Sequence, residues 1–238
     1  MIRVEEATEI VIQDFCSEAK NCQSNCGADF TPVSPWNFDV RNTIIGYFEA
    51  WAPTKSGCGK VTTSNIALGS VSHINAAFGY IEPGTYTIYP IDNIDVGYFR
   101  NITNLKTQAP FTKVWLSLGG WTFSDNDTAT QPVWGDLAST PEKRAKFIDG
   151  LDKFMTNWGF DGVDLDWEYP AAPDRRGNPE DTKNYVALMK DIKDRFDKKG
   201  AGWGISFTAP ASYWYMKWFD IAGMAEVVDF VNLMTYDM

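Results

Sequence analysis

From about residue 42 onward the chain alternates short β-branched or aromatic runs with stretches whose apolar residues recur at helical spacing. That alternation restricts the fold more than any other feature. A strand followed by a helix returns parallel to its predecessor, so the resulting sheet needs helices to cover it. The runs at 42–51, 70–80, 112–120, 160–168, 202–210 and 229–237 are predicted to be strands. After the third run, Thr140 and Pro141 fit a helix start, Phe147, Ile148, Leu151, Phe154, Met155 and Trp158 form an apolar stripe, and Gly159 fits the stop. After the fourth, Asn178-Pro179 opens a helix carrying Tyr185, Leu188, Met189, Ile192 and Phe196, with Gly200 at its end. Strand–helix units in series, with acids at the end of the fourth strand, predict an α/β fold of the (β/α)8 TIM-barrel type, whose active sites gather at the C-terminal ends of the strands. A full barrel takes ~250 residues, so 42–238 is expected to hold about six units, with two strands lacking.

Residues 160–170 read FDGVDLDWEYP, in which Asp164, Asp166 and Glu168 alternate with Val163, Leu165 and Trp167. On a strand these acids share one face, with neighbours ~6.6 Å apart. Like charges that close in a partly dry site cannot all ionise, so at least one carboxyl is expected to keep its proton to higher pH, as an acid catalyst must. A hard-cation site for Ca²⁺ or Mg²⁺ is the competing reading, but such sites sit in polar loops, whereas the interleaved apolar residues point to a buried strand.

The chain has 238 residues, 44% of them hydrophobic, a net charge of −10, and 10 Trp, 10 Tyr and 15 Phe. No Lys/Arg cluster suits nucleic acid, and no apolar run is long enough to span a bilayer. The aromatic rings serve either as core or as platforms for a ring-shaped ligand. Cys16, Cys22 and Cys26 crowd into CSEAKNCQSNCG while Cys58 stands apart. With His73 as the sole histidine, in an apolar run where it packs within the second strand, zinc would need all the thiolates, and disulfides in an oxidising compartment are the preferred reading. The opening MIRVEEATEIVIQDF carries acids and lacks a basic region followed by an apolar stretch, so no secretion signal is expected in this chain. Sequons at Asn101 and Asn126 add weak support for secretion. TPVSPWNF reads as a boundary, separating a cysteine-rich segment at 1–38 from a barrel at 39–238.

DGVDLDWEYP resembles the D-x-x-D-x-D-x-E signature of the family 18 glycoside hydrolases, the chitinases. SLGGW (Ser117 to Trp121) is similar to that family's S-x-G-G on strand three, GYFEAW (Gly46 to Trp51) to its first strand, and MTYD (Met234 to Asp237) to its sixth. Their order and spacing fit across about residues 42–238, and NCQSNCG with EAW and PASYW resembles the fungal, killer-toxin-like branch, in which a cysteine-rich chitin-binding module precedes the barrel.

The resemblance implies hydrolysis of β-1,4-linked N-acetylglucosamine polymers, with retention, by a substrate-assisted route. It implies that Glu168 is general acid and then base, that Asp166 orients the 2-acetamido group which attacks its own anomeric carbon, and that Asp164 supports Asp166. Tyr236 would meet the acetamido group, Tyr47 and Ser117 would support Asp164, and Trp121 would stack on a sugar, although a tryptophan there would otherwise be core. Tyr169, Met234 and Asp237 join the substrate-binding set, Gly119 and Gly120 support it, and Asp161 is structural. No metal and no cofactor are implied. The expected partner is chitin or chitooligosaccharide, and the expected location of a full-length protein is extracellular. A chain truncated after the sixth barrel strand is expected to be a fragment whose own activity is open. The rival readings are a chitin lectin of the same fold, a chitin-docking toxin subunit, and an endo-β-N-acetylglucosaminidase with a similar acid row.

Overall fold

The computed structural model describes residues 43–91 and 94–236. The segment at 1–38, Cys16, Cys22, Cys26, the Cys58 side chain and Asp237 lie outside the described residues, and with them the disulfide reading.

All six predicted strands form. They are β1 (Ile45–Glu49), β2 (His73–Ile81), β4 (Lys113–Gly119), β5 (Gly162–Asp166), β6 (Gly204–Pro210) and β7 (Phe230–Met234), paired in parallel in the order β1-β2-β4-β5-β6-β7. The short strand β3 (Ile88–Pro90), which the sequence reading did not expect, folds back antiparallel on β2. The result is an incomplete barrel: among the described residues β1 and β7 each pair on one side only.

Alternation along each strand separates two faces. Val114, Leu116 and Leu118 of β4, Val163 and Leu165 of β5, and Ile205, Phe207 and Ala209 of β6 are all buried in the core. They meet helices α3 (Pro141–Trp158) and α4 (Asp181–Lys199), whose buried residues include Phe147, Leu151 and Met155 on the first and Tyr185, Leu188 and Phe196 on the second. Burying each such side chain is worth about 1.5–3 kcal/mol. The start of α3 matches the prediction: Thr140 Oγ1 accepts from Lys143 N at 3.3 Å, Pro141 opens the helix, and Gly159 ends it in the left-handed conformation. Helix α4 begins at Asp181 instead of beside Pro179, because the Asp181 carboxylate accepts from Asn178 N at 2.8 Å and holds residues 178–180 in a preceding turn. The remaining helices are α1 (Gly97–Thr103), α2 (Val133–Ala138), α5 (Tyr213–Met216) and α6 (Ile221–Ala225).

The inner face is packed at the N-terminal end of the strands and polar further along. Trp115 stacks on Phe230 with centroids 4.8 Å apart, and the half-buried His73 meets both rings edge-on, in keeping with its expected packing role. Gly162 and Gly204 make room for that indole, since a Cβ on either would lie 2.4 and 2.2 Å from Trp115. Asp161 belongs to this end as well. Its carboxylate pairs with Lys106 at 2.8 Å and accepts from Val114 N at 2.9 Å, away from the other acids of the motif. No helix among the described residues is long and apolar enough to cross a membrane.

Candidate active site

The acid row lies at the C-terminal end of the sheet. Strand β5 stops at Asp166, so Asp164 and Asp166 are paired strand residues on the inner face, whereas Glu168 follows two positions beyond the strand end instead of within it as predicted. All of them are buried, Glu168 with 6% of its surface exposed.

Asp164 is held by neighbours on four strands. Its Oδ2 accepts from Tyr47 Oη at 2.7 Å and Ser117 Oγ at 2.8 Å, and its Oδ1 from Ser206 Oγ at 2.7 Å and Asn232 Nδ2 at 3.0 Å. These donors occupy the acceptor positions of a carboxylate. With its lone pairs taken by O–H and N–H donors, Asp164 has none left to offer a cation, so the geometry argues against the hard-metal reading. Burial, and next the Asp164 charge, push the Tyr47 phenol far up, so it remains a donor.

Asp166 has a different environment. Removal from water raises its carboxyl well above the usual aspartate range, the Glu168 charge raises it further, and a short hydrogen bond from Thr208 Oγ1 opposes the rise. This is the raised carboxyl that the alternation of acids predicted, and it falls on the middle acid. The glycine pair brings β4 close to it: Gly120 N donates to Asp166 O at 3.0 Å, and a Cβ on Gly119, whose φ is 106°, would lie 2.1 Å from the same oxygen. An ordinary side chain has no room there.

The aromatic surroundings divide into packed and open rings. Tyr169 is buried, stacked on Tyr215 at 4.1 Å, and its phenol is raised by burial and then by the Glu168 carboxylate beside it. Trp121 is 50% exposed and Tyr236 66% exposed. The guanidinium of Arg175 lies 3.8 Å above the Trp121 ring. Met234 is partly buried at the end of β7, in register with Pro210. Trp134, unassigned from the sequence, is wholly buried and stacked on Trp167.

The sequence reading missed Ser206, Thr208, Asn232 and Arg175. The strand residues had a signal: Ser206 and Thr208 alternate with Ile205, Phe207 and Ala209, and Asn232 stands between Val231 and Leu233, the same period-two pattern as the acids. Arg175 had none, because its partners come from separate loops.

The described chain can be compared with known proteins. Residues 43–238 match the model described as glycosyl hydrolases family 18. The chain is 28% identical over 204 residues to an endochitinase of Manduca sexta, an alignment covering 84% of this chain and 36% of the relative. It is 31% identical over 239 residues to the killer toxin subunits alpha/beta of Kluyveromyces lactis, covering 95% of this chain and 19% of the relative. Among solved structures, a mutant of the Ostrinia furnacalis Group II chitinase catalytic domain 2, in complex with penta-N-acetylchitooctaose, superposes with a TM-score of 0.75 at 28% identity, covering 83% of this chain and 51% of that one. The chain thus spans about half of the solved domain and less of the longer relatives.

Proposed function

Because the chain belongs to glycosyl hydrolases family 18, we propose that its acid row hydrolyses β-1,4-linked N-acetylglucosamine chains by a retaining, substrate-assisted route. The observation that carries the reading is a buried Glu168 carboxyl placed just past the end of β5, beside an Asp166 carboxyl held above its usual range. Glu168 protonates the glycosidic oxygen as the acetamido oxygen attacks the anomeric carbon and the C–O bond to the leaving sugar breaks. Asp166 hydrogen-bonds the acetamido N–H, which aims that oxygen, and it lies beside the positive charge that develops on the oxazolinium ring. Asp164 is tied in place by its donors, and Thr208 holds the Asp166 carboxyl through a short hydrogen bond. Water then opens the ring, giving its proton to Glu168. Trp121 and Tyr236, both open to solvent, contact the sugar, and Tyr169, Met234 and Asp237 join the substrate-binding set. The natural partner is chitin, the process is its breakdown, and the location of the whole protein is extracellular.

Glu168→Gln is the test. It is expected to lower turnover of chitin oligomers by roughly 10²-fold or more while leaving their binding within a few-fold, and cello-oligosaccharides, which have no acetamido group, are expected to resist the parent chain. Equal turnover of the Gln variant, or of cello-oligosaccharides, overturns the reading. The likeness to the killer toxin subunits supports a second one, a barrel that holds the sugar for a linked partner without cutting it. Binding with no released products selects that alternative.

A further inference from the structure

We propose that Arg175 is a positioning residue that locks the Trp121 ring to the backbone of Glu168, so that the sugar platform and the proton donor keep a set separation. The inference rests on the roles given above to Glu168 and Trp121.

Arg175 ends a short helical turn (Pro173–Arg175) after β5, and only 8% of its surface is exposed. Each arm of its fork is occupied. Nε donates to Glu168 O at 3.0 Å, Nη2 to Trp121 O at 3.2 Å, and Nη1 to Asp125 Oδ1 at 2.9 Å, while the guanidinium plane lies over the Trp121 indole. A planar group with donors in a rigid fork can satisfy two carbonyls and a carboxylate and still stack on a ring, which a lysine ammonium cannot. Arg175 therefore ties together the segment after β4, which carries the platform, and the segment after β5, which carries the acid.

The turn itself is anchored from several sides. Gln131 Nε2 donates to Arg175 O at 2.7 Å, Asn126 Nδ2 to Asp174 O at 2.7 Å, and Tyr215 Oη, from α5 after β6, to Asp174 Oδ2 at 2.6 Å. Loops from three successive strand ends thus meet at the Asp174–Arg175 step. The partly exposed Asp125 pair contributes little by itself. What distinguishes Arg175 is that its other contacts reach the backbone of Glu168 itself and the ring and backbone of Trp121.

The 238-residue chain carrying Arg175→Lys, which retains the charge and loses the fork, tests this. Acrylamide quenching of Trp121 is read as the difference between each protein and its Trp121→Phe counterpart, with no sugar present. The quenching constant is expected to rise about two-fold in Arg175→Lys as the ring loses its guanidinium cover, at unchanged far-ultraviolet circular dichroism. Chitopentaose affinity is then measured in the non-cleaving Glu168→Gln background. Arg175→Lys is expected to weaken binding about ten-fold when Trp121 is present and less than about two-fold when it is Ala. Unchanged quenching, or losses that simply add, overturns the proposal. A parent chain that binds no sugar overturns the function reading instead, while the quenching result still decides the clamp. Should Arg175→Lys not fold, Asp125→Ala, which removes one acceptor of the same fork, is read in the same way, with a smaller rise expected and no rise counting against the proposal.

Discussion

At the scale of single residues, the site is governed by how two neighbouring aspartates are solvated by the protein. Asp164 has donors from β1, β4, β6 and β7, whereas Asp166 has Thr208 and the company of another carboxylate. Removing one donor from a buried carboxylate costs roughly 1.5–3 kcal/mol, so Ser206→Ala is expected to lower unfolding stability by that amount in urea titrations; a loss below about 0.5 kcal/mol, the scale of an ordinary surface change, would contradict the bond's role. Asp166 gives a pH-dependent result. Its folded carboxyl is raised, so the stability linked to its proton is complete below the free aspartate value of about 3.9 and is lost as pH rises through the folded value. Asp166→Asn keeps the acceptor for Thr208 and has no proton to lose. The melting temperature of the variant relative to the parent is therefore expected to climb as pH rises above the free aspartate value of about 3.9, and a constant gap would show that Asp166 is not raised. Of these residues the acids were legible in the sequence because charge at every second position is rare in an apolar run, while Ser206, Thr208 and Asn232 follow the same period with side chains too ordinary to stand out.

At the scale of elements, the inner face depends on side-chain size as much as on polarity. The Trp115 indole spreads across two adjoining strands that present Gly162 and Gly204, and either glycine given a methyl group would collide with it. Gly162→Ala is expected to destabilise by about 1–3 kcal/mol, and pairing it with Trp115→Leu should recover part of that loss. Chemical denaturation of the two single variants and the double variant measures the coupling, and strictly additive losses would refute the contact. Strand and helix identities were legible because β-branched runs and 3.6-residue stripes are local signals. The antiparallel β3 was not, since a three-residue strand ending in Pro90 carries too little pattern to register. Nor was the early stop of β5: ladder pairing ends where the β4 glycines turn the chain across Asp166, an event belonging to two strands at once.

At the scale of the molecule, the sheet edges matter most. Val231 and Leu233 on β7 are 37% and 52% exposed, whereas the equivalent outward residues of β5 and β6 are buried under helices. Exposed apolar residues on a strand with an open edge favour association. A protein limited to these 238 residues is expected to self-associate at micromolar concentration, and the double substitution Val231→Lys with Leu233→Lys to shift it toward monomer by about ten-fold in dissociation constant. Sedimentation velocity reads this directly, and a parent chain that is monomeric throughout would count against the edge as an adhesive surface.

The sequence alone determined the order of strands and helices, the polar row on β5 and the family resemblance, because each is written in spacing along a contiguous stretch. Only the tertiary structure decided which carboxyl is raised, which donors hold Asp164, and that Arg175 joins Trp121 to Glu168. Those outcomes depend on burial and on hydrogen bonds between residues far apart in the chain, and neither quantity exists until the strands are side by side.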